Sequence, residues 1–134
     1  MITEDYVSFE TAKLLKEKGF DEGCRAHYGS AGSFSYEKYE VEASGCEMHN
    51  AILAPTLQMV MKWLREIQGI NIYARGVWKD VEVQYGDWEP AVVGYEWFVE
   101  SLIDDTYSKM SIESFLTYEE ACEAAIRYCL ENLI

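Results

Sequence analysis

Two Cys-x-x-His pairs carry the residue types and spacing best suited to chemistry: Cys24-Arg25-Ala26-His27 and Cys46-Glu47-Met48-His49. Two thiolates and two imidazoles make a full tetrahedral ligand set for zinc. Such a set requires both pairs to lie in turns. Along a strand, Cys24 and His27 would leave opposite faces and could not share a metal, and Cys24 to Tyr28 itself reads as a strand. A zinc module at Cys24, His27, Cys46 and His49 therefore stands as one expectation, and scattered polar and buried side chains as the other. Cysteine catalysis needs a thiolate beside a base. With 4 Cys and 2 His, no local motif selects a pair. The 24 carboxylates leave any acid–base pair unidentified, and the tract Gly29 to Ser33 lacks the Gly-Lys-Ser/Thr ending of a phosphate loop. No enzymatic activity and no cofactor are expected.

The other candidate is Tyr73-Ala74-Arg75-Gly76-Val77-Trp78-Lys79, followed by Tyr85 and Trp88. Aromatic rings beside Arg and Lys can stack on a nucleobase or anchor a protein interface, and Gly76 lets a ligand approach the backbone. Tyr73, Arg75, Trp78, Lys79, Tyr85 and Trp88 are thus candidate binding residues. The competing expectation is an ordinary strand in which Tyr73, Arg75 and Val77 alternate with Ala74, Gly76 and Trp78, one set being buried.

The chain of 134 residues fits a single domain, and 49% hydrophobic residues suffice for a packed core. A net charge of −13 argues against binding duplex nucleic acid, which needs clustered cations, and against an anionic membrane surface. It suits a basic protein partner, whose approach it accelerates; mimicry of a nucleic-acid surface and simple solvation are both open uses of it. No apolar run reaches the roughly 20 residues of a membrane span. The start, Ile2-Thr3-Glu4-Asp5, lacks a signal peptide's basic region, so a cytoplasmic location with free thiols is expected. Cys122 and Cys129 lie about 10 Å apart along a helix, too far to bridge each other, and are expected in the core.

Three helices are expected to position these residues. The first follows Ser8 as N-cap, carries Phe9, Ala12, Leu14 and Leu15 as its apolar stripe, and ends at Gly19 with Phe20 folding back on Leu15. The second opens at Ala54-Pro55-Thr56-Leu57 with Pro55 in the first turn. It faces Leu57, Val60, Met61, Leu64 and Ile67 inward and ends at Gly69. The third begins at the capping box Thr117-Tyr118-Glu119-Glu120 and presents Ala121, Ala124, Ala125 and Tyr128 to the interior. Strands are expected at Cys24 to Tyr28, Phe34 to Val41, Asn71 to Trp78, Val81 to Tyr85 and Val92 to Leu102, with a last short strand or loop within Ser108 to Phe115. The poor alternation of Phe34 to Val41 marks an edge strand or a partly exposed one. Lys79-Asp80 reads as the start of a turn, Gly86-Asp87 as a second turn, and Glu42 to Asn50 as loop. Pro90 bars Trp88 to Ala91 from a central strand. The expected fold is α+β, with three helices packed on a mainly antiparallel sheet in the order α-β-β-α-β-β-β-α.

Four segments carry a resemblance: Ile2 to Asp21; Ala54 to Met59 with Met61 to Glu66; Thr117 to Ala121 with Tyr128 to Ile134; and Gly94-Tyr95-Glu96-Trp97. Together they resemble an uncharacterised family of small acidic proteins from gut Bacteroidales and their phages and prophages. The resemblance spans all three helices and brings no activity or functional residue with it. It implies an origin on mobile DNA, where small acidic proteins act by binding host factors, including defence proteins. His27 to Leu53 departs most from the family pattern. The expectation is a non-enzymatic interaction protein with a protein partner, a homodimer being open. A nucleotide-sequestering binder and a zinc module are the alternatives.

Overall fold

A computed structural model describes residues 2–134. The chain forms an α+β fold of two compact units. One runs up to Trp63 and includes Ile126–Ile134; the other is Leu64–Ala125. The antiparallel strands divide into two three-stranded sheets, where the sequence suggested one. Among the described residues no helix is long and apolar enough to cross a membrane.

In the first unit, helix α1 (Phe9–Glu17) starts where expected: Thr11 N–H donates to Ser8 Oγ at 3.3 Å. It ends in a Schellman motif. Gly19 takes φ +89°, its N–H reaches Lys16 O, and Phe20 N–H reaches Leu15 O at 3.0 Å. Strands β1 (Cys24–Tyr28), β2 (Phe34–Val41) and β3 (Ile52–Leu53) pair in the order β2-β1-β3, so β2 is the edge strand its weak alternation predicted. The expected loop Glu42 to Asn50 instead contains a short helix, α2 (Ala43–Met48). It buries Cys46 and is closed by Asn50 at φ 54°. Six residues carry no full apolar repeat, which is why periodicity does not reveal it.

Helix α3 (Leu57–Trp63) starts later than expected. Thr56, not the residue before Pro55, is its cap: Thr56 Oγ1 accepts from Met59 N–H at 3.2 Å. Leu57, Val60, Met61 and Leu64 are buried as anticipated, but Ile67 is 63% exposed. The chain beyond Trp63 is a π-helical turn, Leu64–Gln68. Its wider i→i+5 winding turns Ile67 off the apolar stripe.

In the second unit, β4 (Ile70–Gln84) and β5 (Asp87–Ser101) form a long hairpin, and β6 (Ser108–Met110) pairs with only the base of β5, opposite Phe98 to Glu100. The expected turn at Lys79-Asp80 does not occur. No glycine follows Lys79-Asp80, and the reversal waits for Tyr85-Gly86, where Gly86 has φ +82°. Pro90 lies inside β5, but β6 does not extend that far, so the strand there is an edge and tolerates it.

Helix α4 (Tyr118–Asn132) is capped by Thr117, whose Oγ1 accepts from Glu120 N–H at 3.1 Å. Its buried stripe is Ala121, Cys122, Ala125, Ile126, Cys129 and Leu130. Ala124 and Tyr128, expected inward, are only half-buried. The stripe is centred on the cysteines and Ile126, whose apolar area exceeds that of alanine.

Thr117→Ala and Gly19→Ala should each cost about 1 kcal/mol, the first by removing a cap and the second by forcing a Cβ into positive φ. Equilibrium denaturation should show a lowered midpoint for both. All four cysteines are buried free thiols. A chromogenic disulfide reagent should therefore react slowly with the native protein and rapidly, at four equivalents, with the denatured chain; rapid labelling of the native protein would contradict their burial.

Candidate binding surface on the hairpin

The four zinc candidates do not converge. Cys24 and His27 have opposite parity on β1. The Cys24 thiol donates to Glu22 O at 3.3 Å and lies 3.8 Å from Met59 Sδ, whereas His27 Nε2 is 3.9 Å from Glu37 Oε1. Cys46 is buried in α2, and His49 is exposed just past that helix's C-terminus. Among the described residues no three His, Cys, Asp or Glu side chains are grouped to hold a metal ion. The zinc expectation is corrected accordingly: strand alternation separates the first pair, and in the second Cys46 is buried under α2 while His49 stays in solvent.

The thiols are also chemically quiet. Burial, followed by the neighbouring Cys46, Glu40 and Glu22, pushes Cys24 up to about 12. Burial alone takes Cys129 to about 12. Cys46 and Cys122 are raised chiefly by desolvation as well. A thiol held protonated at neutral pH is a poor nucleophile and a poor metal ligand. Cys46 lines a cavity of about 260 Å³ with Ala12, Leu15, Lys16 and Phe20, whereas Cys24 borders a different one of about 220 Å³.

The aromatic and basic candidates all lie on the β4–β5 hairpin, but on two faces. At its base, Ile70, Ile72, Trp97 and Val99 are buried on one face. The opposite face carries Tyr73, Arg75, Phe98 and Glu96, which partner one another across the strands. Tyr73 and Phe98 stack with centroids 4.9 Å apart and planes 9° from parallel. The Arg75 guanidinium lies 4.5 Å from the Phe98 centroid, and its Nε donates to Glu96 Oε1 at 3.0 Å. This pair is exposed and contributes at most about 1 kcal/mol, but it leaves Arg75 engaged by its own sheet. Lys79 shares this face by alternation.

Trp78 belongs to the other face, in line with Ile72, Ala74 and Gly76. A β-bulge between Val77 and Trp78 leaves Val93 without an opposite residue and sets Trp78 against Val92. Beyond it, Asp80 opposes Pro90 and Glu82 opposes Trp88. The face that is core at the base thus continues outward as an apolar row, Trp78, Val92, Pro90 and Trp88, but in solvent: Trp78 is 64% and Trp88 61% exposed. Tyr85 at the tip is fully exposed, and Val83 and Val93 are half exposed. The structure therefore groups Trp78 with Trp88, groups Tyr73 and Arg75 with Lys79 on the opposite face, and leaves Tyr85 at the tip. The sequence did not mark Phe98, Glu96, Val92 or Pro90 as binding residues. The period-2 pattern contained them, but the bulge that aligns Val92 and Pro90 with Trp78 has no clear sequence signal. No family model matches the chain, and no curated protein or solved structure is significantly similar to it.

Proposed function

We propose that this chain is a non-enzymatic interaction protein that binds another protein through the outer half of its β4–β5 hairpin. The observation that carries this reading is the solvent-exposed row Trp78, Val92, Pro90 and Trp88, with Tyr85 beyond it. A two-stranded hairpin is marginally stable in water on its own, and large aromatics clustered in solvent are typical anchors of interfaces. Beside the row on the same face stand two carboxylates, Asp80 opposite Pro90 and Glu82 opposite Trp88. A partner surface bearing lysine or arginine around an apolar recess complements both features, and the overall charge of −13 favours its approach. In the mobile-element setting that the sequence resemblance implies, such a binder would act by occupying a host protein, a defence protein among the candidates. The nucleotide-sequestering alternative gains no comparable support, because Arg75 and the two tryptophans lie on opposite faces and Arg75 is already paired.

The test is affinity capture from a host lysate with the wild-type chain and with the double variant Trp78→Ala, Trp88→Ala, followed by titration of whichever protein the wild type retains. Both side chains are exposed, so the variant should fold normally. Its affinity should fall at least about tenfold, and added salt should weaken binding by the wild type. Equal retention by wild type and variant would overturn the proposal, and calorimetry showing nucleotide binding would favour the alternative.

A further inference from the structure

The direction of the backbone groups in the hairpin follows from a few hydrogen bonds. Tyr95 exchanges both of its backbone bonds with Phe115, at 2.8 and 2.7 Å; Trp97 O accepts from Ser111 N–H; and Ser101 N–H donates to Tyr107 O. Tyr95, Trp97 and Ser101 therefore turn their backbone groups away from β4. Alternate residues point the opposite way, so Glu96, Phe98 and Glu100 bond β4 at their partners Arg75, Tyr73 and Asn71. The inward set on β4 continues through Val77 and Lys79. Its outward set is Ile72, Ala74, Gly76, Trp78, Asp80 and Glu82. Pro90 fits this alternation: it opposes outward-facing Asp80 and so has no ladder bond to lose.

The two edges of the outer hairpin are therefore unequal. On the β5 side the outward position 90 is proline, which has no N–H, and Val93 bulges; both features blunt an edge against pairing. The β4 edge from Gly76 to Glu82 has neither device. The sheet order leaves it without a neighbouring strand, and among the described residues no backbone hydrogen bond from another element reaches it. Its side chains do select what can pair there. One face of β4 presents Arg75 and Lys79, the other Trp78, Asp80 and Glu82. Two copies of β4 pairing antiparallel would align like face with like face. Cation would then lie beside cation and carboxylate beside carboxylate, between chains of −13 each.

Resting on the protein-binding reading above, we infer that the β4 edge takes up an extended segment of a different protein as an added strand. The occupant is about six residues long and alternates in charge. Its carboxylates fall on the side of Lys79. Its lysines or arginines fall on the side of Asp80 and Glu82, with one stem lying over the Trp78 ring. Main-chain bonds to Gly76, Trp78, Asp80 and Glu82 supply affinity, and the alternation supplies register.

The probe is a fluorescent synthetic decapeptide alternating lysine with glutamate and valine, beside a peptide of the same composition with its lysines and glutamates in separate blocks. The full chain should bind the alternating peptide at least tenfold more tightly by anisotropy. Asp80→Pro removes one outward N–H without touching the β4–β5 ladder and should lower that affinity at least tenfold. Asp80→Asn, which keeps the N–H, should lower it less. Independently of any variant, hydrogen exchange at the Trp78, Asp80 and Glu82 amides should slow when the alternating peptide is added. Equal binding of the two peptides, wild-type binding by Asp80→Pro, or unchanged exchange at those amides would each overturn strand addition. With the captured partner, loss in the double tryptophan variant but not in Asp80→Pro would overturn strand addition and leave the hairpin reading standing; no loss in either would overturn both.

Discussion

The pairing register of β4 with β5 is the constraint on which the functional surface depends. Side chains alternate strictly between faces, so a one-residue slip would exchange the two faces of the hairpin. The base holds the register because Ile70, Ile72, Trp97 and Val99 are all buried. Exposing any of them would forfeit roughly 1.5–3 kcal/mol of transfer free energy. The outer half has no such anchor, since nearly all of its side chains are in solvent. Its register is inherited from the base, altered by the bulge at Val93, and closed by the turn at Tyr85-Gly86.

Extending a well-anchored hairpin into solvent has a physical consequence. Backbone bonding along the ladder stays satisfied, but the side chains have no core to enter. Trp78, Val92, Pro90 and Trp88 continue the line of a buried face past the end of the core. Polar residues at these positions would have served a simple spacer better. The Tyr73, Phe98, Arg75 and Glu96 ladder on the opposite face behaves differently: its groups satisfy one another by stacking and ion pairing, so that face is complete without a ligand. Unsatisfied apolar area on one face and mutual satisfaction on the other give the hairpin its sidedness.

The cysteines illustrate how residue type misleads when geometry is missing. Two Cys-x-x-His pairs have the composition of a metal site, but β1 puts Cys24 and His27 on opposite faces, and α2 buries Cys46 while leaving His49 outside. Cys122 and Cys129 pack in the stripe of α4 as small apolar residues. Desolvation raises all four thiols, so their chemistry is suppressed by the burial that makes them useful for packing.

What the amino-acid sequence determined by itself was the local grammar: the Ser8 and Thr117 caps, the glycine stop at Gly19, the α+β class, the edge character of β2 and the strand propensity on either side of Gly86. Each of these is set by residues a few positions apart, whose caps, φ preferences and periodicity act before any long-range contact forms. Tertiary structure alone decided the division into two sheets, the π turn that exposes Ile67, the helix at Ala43–Met48, the outer register of the hairpin, and which candidate residues share a face. These depend on contacts between distant residues and on a bulge that shifts alternation by one. Trp78 and Arg75 stand three apart in the chain, and only the pleat and pairing of the strand send one into an unpartnered apolar row and the other into a closed ladder.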